Sequence, residues 1–362
     1  MFRSSSTPQV DASLHRVPLG ISHRTCARWA MRPHQKYSAT PHLRGVMERP
    51  AISVLINNHN YGHFVGHAID SVLSQKTPDV EIIVVDDGSS DHSRAVLEAY
   101  GNRVKAHFQD NQGQAAAINA AVRMSSGDIL CFLDADDWWA PGKLSAMATA
   151  FRSNLQVSLV YHRLQPTLVD RSPTLKPIPR TLCSGDLSQR LTKSAGWWPF
   201  PLTSAIAVRR SAWDAAGDIP EQFRISADVW LAGIYPFLGG VAALPDALGY
   251  YRIHNNNWYR PVDDAPMLRK RMAHWQATVE VTNRFLSDHD MPGRLRLADH
   301  YPYRVASARL DGADTRTRLK LAVEGLFFAG EPNLLRRTRD ALRSARDLPR
   351  HGLDGVLSGP AK

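Results

Sequence analysis

Cysteine is scarce. The chain has three in 362 residues, Cys26, Cys131 and Cys183, at spacings that make neither a disulfide framework nor a zinc site. That usage fits a reducing compartment and implies a cytoplasmic protein. No apolar run approaches the ~18 residues of a membrane-spanning helix, and the first 46 residues hold no apolar core of a secretory signal. A Gly-rich, basic loop is missing after the first predicted strand, where Asn57-Asn58-His59-Asn60 stands instead. Its absence argues against a sugar-1-phosphate nucleotidyltransferase, which needs such a loop. Positive charge is also missing where nucleic-acid binding would require it. The net charge is +10, yet residues 51–261 carry 18 Lys/Arg against 19 Asp/Glu. The excess lies at the ends, with 8 against 2 in residues 1–50 and 18 against 13 in residues 262–362. A slightly acidic centre excludes a nucleic-acid footprint there.

What the centre does contain is a regular alternation. Ile52–Ile56 reads as a strand ending in Asn57-Asn58-His59-Asn60-Tyr61-Gly62, and a helical pattern with Phe64, Ala68, Val72 and Leu73 on one face follows. Val80–Val85 reads as a second buried strand ending in Asp86-Asp87-Gly88-Ser89-Ser90-Asp91, where Ser90 or Asp91 can cap the next helix. Residues 103–108 form a weaker third strand, residues 113–124 an Ala-rich helix, and Ile129–Leu133 a fourth strand. Strands alternating with helices imply parallel βαβ units. Right-handed crossovers bring their strand ends to one rim. The loops 57–61, 86–89 and 134–137 are therefore predicted to meet.

Asp134, Asp136 and Asp137 follow the fourth strand directly. On an extended chain, residues i and i+2 share a face, which groups Asp134 with Asp136. Clustered carboxylates repel unless a cation joins them, and hard ions such as Mg2+ or Mn2+ bridge carboxylates to phosphates. A lone Asp-x-Asp is more often a polar turn. Three acid- or amide-rich loops at equivalent strand ends make the metal reading the stronger one.

These segments resemble the family 2 glycosyltransferases. The resemblance is carried by Ile52-Ser53-Val54-Leu55-Ile56-Asn57-Asn58-His59-Asn60-Tyr61, Val84-Val85-Asp86-Asp87-Gly88-Ser89-Ser90-Asp91, Asn111-Gln112-Gly113 with Asn119, and Phe132-Leu133-Asp134-Ala135-Asp136-Asp137. It is strong from about 51 to 144, looser to about 258, and absent before Met47. It implies an α/β fold of the GT-A type: a Rossmann-like open twisted sheet flanked by helices, with a helical C-terminal extension added. It also implies a metal-dependent, inverting transfer of a sugar from a nucleotide-diphospho-sugar donor to an acceptor hydroxyl on a glycan or lipid-linked acceptor. The cofactor would be Mn2+ or Mg2+. By resemblance, Asn57, Asn60, Asp87 and Gly113 serve the donor, Asp87 through a ring N–H of the base. Asp134 reaches the ribose or the metal, Asp136 the metal, and Asp137 is a second ligand or an orienting group. Asp228, before Val229-Trp230-Leu231, is the candidate catalytic base, with a helix N-cap as the plain alternative and Glu221 in reserve. Tyr250-Tyr251-Arg252-Ile253-His254 resembles the family's Tyr-Arg-x-His tail. It makes Arg252 a phosphate contact or a salt-bridge partner, and His254 a metal ligand, a diphosphate contact or a structural group. Trp198 is a candidate for the acceptor pocket, since aromatic faces suit sugar rings. A non-catalytic sugar-nucleotide-binding or scaffold protein of the same fold is the alternative. The presence of Asp87, Asp136 and Asp228 together weighs against it.

Four parts are expected. Residues 1–46, with Pro8, Pro18, Pro33 and Pro41 and no periodicity, read as a disordered extension. Residues 47–145 form the nucleotide-sugar-binding half and 146–261 the acceptor half. Residues 262–362 form a helical extension in which Leu268, Met272, Trp275 and Val279 share one face and Leu319, Val323 and Phe327 another. Trp275, Leu319 and Phe327 are expected to need a surface to bury against. The basic side of these helices, with Arg336, Arg337 and Arg339, reads as a solvated surface. Peripheral contact with the anionic inner face of the plasma membrane is the sharper alternative.

Overall fold

The apolar runs become strands whose side chains alternate between two cores. The computed structural model describes residues 51–346, apart from 76, 78, 255–256 and 258–263. The expected N-terminal extension and the tail beyond 346 lie outside the described residues. In chain order come β1 (Ile52–Asn58), α1 (Gly62–Leu73), β2 (Val80–Asp87), α2 (Ser93–Glu98), β3 (Lys105–Gln109), α3 (Gln114–Arg123) and β4 (Ile129–Asp134). β1 pairs in parallel with β2 on one side and β4 on the other, and β2 pairs in parallel with β3. The chain therefore moves outward from β1 to β3 and then returns to the other side of β1. Open α/β sheets bind ligands outside the strand ends at such a switch point. Asn57 stands opposite both Val85 and Asp134, and Asn58 opposite Asp86.

The second half widens the sheet. It contributes β5 (Trp138–Trp139), α4 (Lys143–Ser153), β6 (Val157–Thr167), α5 (Ser188–Lys193), β7 (Ile206–Arg209), α6 (Arg210–Ala216), α7 (Asp228–Leu238) and β8 (Gly240–Arg252). The strand order is β3-β2-β1-β4-β7-β6-β8-β5, with β7 antiparallel to both β4 and β6. Leu130 and Phe132 enter one core with Leu55, Ile83 and the faces of α3 and α7, while Cys131 and Leu133 enter the other with Ile56, Ile69 and Met147. Covering both faces explains why the central strands read as nearly continuous apolar runs. This mixed, eight-stranded sheet between helical layers is the expected GT-A architecture.

Four further helices follow: α8 (Ala265–Asp288), α9 (Tyr301–Leu310), α10 (Thr315–Leu326) and α11 (Leu334–Ala345). Val279, Val281, Phe285 and Leu286 of α8 join the same core as α7, and the Phe285 ring meets Trp230 at 5.8 Å. One expectation fails here. Leu319, Val323 and Phe327 do not bury; they are 53%, 58% and 78% exposed. α10 turns Leu321, Ala322 and Gly325 inward instead, and Gly325 lies so close to the Tyr301 ring that a Cβ would overlap it. Small inward residues let the helix approach closely, which leaves its larger apolar stripe on the outside. Trp275 is half-buried, with its ring 4.9 Å from His300. Among the described residues no helix is long and apolar enough to cross a membrane.

Candidate active site

The ends of β1, β2 and β4 meet, and a cleft of about 610 Å³ opens over them, lined among others by Asn57, Asp87, Gly113, Asp134, Asp136 and Asp228. Asp134, Asp136 and Asp137 each offer a carboxylate oxygen, and the three lie within 4.8 Å of one another. Burial, then Asp136 and Asp228, push the Asp134 carboxyl up to about 7. Burial, then Asp136 and Asp134, hold the Asp137 carboxyl well above the usual range. Three crowded carboxylate oxygens suit a hard divalent cation, which removes their mutual repulsion.

The loop carrying these carboxylates is braced from below. Asp137 is 1% exposed and accepts the backbone N–H of Arg252 at 2.9 Å. The Arg252 guanidinium donates through Nε to the Asp136 carbonyl at 2.7 Å and packs over the rings of Phe64 and Trp138. Arg252, expected at the donor phosphates or in a salt bridge, does not line the cleft; its charge supports the aspartate loop from within the protein. His254 Nε2 lies 3.0 Å from Asp136 Oδ2, so the ring stands behind one carboxylate of the cluster.

At the other end of the cleft, Asp87 organises backbone. Its Oδ1 accepts from Gln112 N at 2.9 Å and Gln109 Nε2 at 2.8 Å, and its Oδ2 from Gly113 N at 2.7 Å. Gly113 has φ +97, and a Cβ there would come within 2.8 Å of the Arg224 backbone, so glycine is required on both counts. Asn57 is half-buried and lines the cleft, and its Oδ1 has no hydrogen-bond partner. Asn60 departs from the expectation. Its Oδ1 accepts from Ser90 N at 2.7 Å and its backbone N–H donates to Ser89 Oγ at 2.8 Å. It locks two loops together and does not line the cleft. His59 lines it in its place.

Asp228 is the first residue of α7 and is 8% exposed. Its Oδ1 has no partner, and burial pushes the carboxyl up to about 7. It lines both the cleft and a second cavity of about 230 Å³. Leu202, Ser226 and Tyr251 are shared by the two spaces in the same way. Glu221 is exposed and lines neither. Trp198 borders the second cavity but is 1% exposed and donates its indole N–H to Ala232 O at 3.1 Å. Trp197 and Trp275 are the half-buried tryptophans of that wall.

Two contributors went unread in the sequence. Gln114 donates through Nε2 to Asp134 Oδ1 at 2.8 Å and accepts the Ala227 N–H at 3.0 Å, tying the aspartate cluster to the segment that presents Asp228. Its position just after Asn111-Gln112-Gly113, at the start of α3, was the available signal. Ser204 accepts the Asp134 N–H on Oγ at 3.1 Å, and its carbonyl accepts from Trp139 Nε1 and Lys143 Nζ at 2.9 and 3.0 Å. No local pattern marks it.

The profile of Glycosyl transferase family 2 matches residues 53–212. An uncharacterized glycosyltransferase of Nostoc sp. is 36% identical over 246 residues, covering 66% of this chain and 74% of that protein. The UDP-Glc:alpha-D-GlcNAc-diphosphoundecaprenol beta-1,3-glucosyltransferase WfgD of Escherichia coli is 34% identical over 117 residues, 32% of this chain and 46% of its own. Among solved structures, the mannosyltransferase PcManGT of Pyrobaculum calidifontis, in complex with GDP-Man and Mn2+, aligns at 17% identity with a TM-score of 0.46 over 86% of this chain and 79% of its own.

Proposed function

This chain belongs to the family 2 glycosyltransferases, and from that premise we propose that it transfers a sugar, with inversion, from a nucleotide-diphospho-sugar to an acceptor hydroxyl, with Asp228 as the base. The observation that carries the reading is the partnerless Oδ1 of Asp228, on the boundary between the cleft and the second cavity. Donor in the cleft and acceptor in the second cavity would meet at this carboxylate. The acceptor hydroxyl gives its proton to Asp228, its oxygen bonds to the anomeric carbon, and the bond to the diphosphate breaks with the electron pair leaving on phosphate. A base held at about 7 is matched to neutral pH. Asn57, Asp87 and the Gly113 turn would receive the nucleoside. Asp134 and Asp136, with Asp137 orienting the loop, would hold Mn2+ or Mg2+, which when bound neutralises the departing diphosphate. The presence of Asp228 and Asp136 in the lining of one cleft favours catalysis over a sugar-nucleotide-binding scaffold. A screen of UDP- and GDP-sugars for Mn2+-dependent nucleotide release tests the reading. Absence of both release and nucleotide binding across the panel would sink it.

The acceptor is a glycan hydroxyl, and a lipid-linked acceptor, such as the name of the E. coli relative describes, is supported by the outer surface of α10 and α11. Phe327 is 78% and Leu335 81% exposed, and the exposed Arg316 and Lys320 share α10 with Leu319 and Val323. An apolar stripe flanked by cations complements an anionic lipid surface. The low cysteine content supports a cytoplasmic enzyme that binds such a surface peripherally.

A further inference from the structure

We infer that Tyr251 and Ser226 read the sugar being transferred: their hydroxyls hydrogen-bond its ring hydroxyls at the neck between the cleft and the second cavity, and so set which sugar is accepted. The inference rests on the transfer reaction proposed above, which puts the nucleotide in the cleft and the acceptor in the second cavity. The sugar then lies between them. Four residues line both spaces: Leu202, Ser226, Asp228 and Tyr251. Asp228 is committed to the acceptor proton, and Leu202 brings only apolar surface. Ser226 and Tyr251 are the neutral hydroxyls left to face a sugar ring.

The backbone accounts for both positions. Successive side chains of a strand point to opposite faces. On β8, Tyr250 stacks on Trp138 with ring centres 4.9 Å apart, and Arg252 packs over the same Trp138 ring. Tyr251, between them, is turned to the other face, where it packs on the small core of Leu164, Ile178 and Ala205, as Leu202 does. That packing anchors the ring. Burial first, then Asp137, Asp136, Asp134 and Asp228, push the phenol well above its ordinary range. It therefore stays protonated, a hydrogen-bond donor within reach of both the aspartate cluster and the base. Ser226 is half-buried, and its carbonyl accepts the Val229 N–H at 3.2 Å at the head of α7. Its backbone is left-handed, with φ 66, a conformation that costs a non-glycine residue free energy and persists where the surrounding structure imposes it. A site built to hydrogen-bond a hydroxyl rejects an epimer that places that hydroxyl elsewhere, because the site's own polar groups are left unpaired.

Isothermal titration in saturating Mn2+ tests this, with UDP, UDP-glucose and UDP-galactose, or with GDP, GDP-mannose and GDP-glucose. The series used is the one whose bare nucleotide binds. The wild type is expected to separate the two epimers by about threefold or more, the effect of one neutral hydrogen bond. Tyr251→Phe keeps the ring in its core and removes only the hydroxyl. It should bring the epimer ratio toward one while affinity for the bare nucleotide stays within about twofold, less than one hydrogen bond. Ser226→Gly removes the other hydroxyl without straining the left-handed backbone, and should act in the same direction. Equal affinity for the epimers in the wild type, which needs no variant to fold, overturns the inference. So does an unchanged ratio in folded Tyr251→Phe. So does an equal loss for the bare nucleotide, which would make the phenol a support of the aspartate cluster. Titration needs no turnover, so the two readings fail separately. A wild type that separates the epimers yet releases no nucleotide sinks the transfer reading and leaves the neck standing. One that releases nucleotide yet binds the epimers equally does the opposite, and binding of neither UDP nor GDP overturns both.

Discussion

Asp228→Asn should cost activity and add stability at the same time. The Asp228 carboxyl is raised from 3.8 to about 7 because it is buried, with one oxygen unpartnered. A raised folded-state value means the folded protein binds the proton more tightly than the unfolded chain does. Its stabilising contribution is fully present below pH ~4 and is lost as pH rises through ~7. At pH 8 the ionised carboxylate therefore weighs against folding by up to ~4 kcal/mol at 1.36 kcal/mol per unit, or about 2–4 kcal/mol once water in the cleft is allowed for. Asparagine keeps the shape and removes the charge. A chain of this length gains about 1 °C in Tm for each ~0.7 kcal/mol. Calorimetry at pH 8 should thus show a rise of roughly 3–6 °C, shrinking to less than half at pH 5, where the wild-type group is mostly protonated. In the same protein, nucleotide release in the presence of acceptor should fall about 100-fold or more. Wild-type turnover should rise with pH through about 7 as the base deprotonates. A folded variant with near wild-type turnover would move the base elsewhere, first to Glu221. A variant with no thermal gain at pH 8 would mean that the carboxylate is not a buried charge.

Three further outcomes are expected. Asp136→Asn should abolish transfer and weaken Mn2+-dependent nucleotide binding about tenfold or more, because an amide is a poor ligand for a hard cation; full activity in metal-depleted buffer would contradict it. Gly113→Ala should destabilise by about 1–3 kcal/mol through its positive φ and the Arg224 backbone, measured by denaturant melts with nucleotide affinity read alongside; a stability equal to wild type would show that the turn is not constrained. Leu335→Glu should reduce co-sedimentation with anionic vesicles at low salt, and salt should reduce binding of the wild type; absence of wild-type binding at low salt would leave α10 and α11 as an ordinary solvated surface.

The rim at the ends of β1, β2 and β4 is readable because each of its parts is local. Buried parallel strands leave continuous apolar runs, and each run ends where its loop begins, so Asn57, Asp87 and Asp134 were located by their place at strand ends. What a strand end does not tell is where a side chain turns. Asn60 faces the neighbouring loop because its own backbone is left-handed, with φ 58. Arg252 lies on β8, beside Trp138–Trp139 of β5, so its side chain is carried beneath the aspartate loop and away from the cleft. Both positions depend on pairings between segments far apart in sequence.

The second cavity is non-local throughout, and no single stretch of sequence marks it. Its walls come from the 195–202 loop, α7, α8 and His300, no two of which share a periodic signature. Of the paired tryptophans, Trp198 fills the core and Trp197 reaches the cavity, a distinction set by the bond from the Trp198 indole to Ala232. In α10 the rule that large apolar residues face inward holds for Leu321, which packs beside Ala322 and Gly325, but not for Leu319 and Val323, nor for Phe327 just after the helix. Such exposure costs stability, since each exposed aliphatic side chain forgoes about 1.5–3 kcal/mol of burial. The stripe lies on the same helical extension whose first member, α8, walls the second cavity. An enzyme that met its acceptor at a lipid surface would gain from having those two features on one extension.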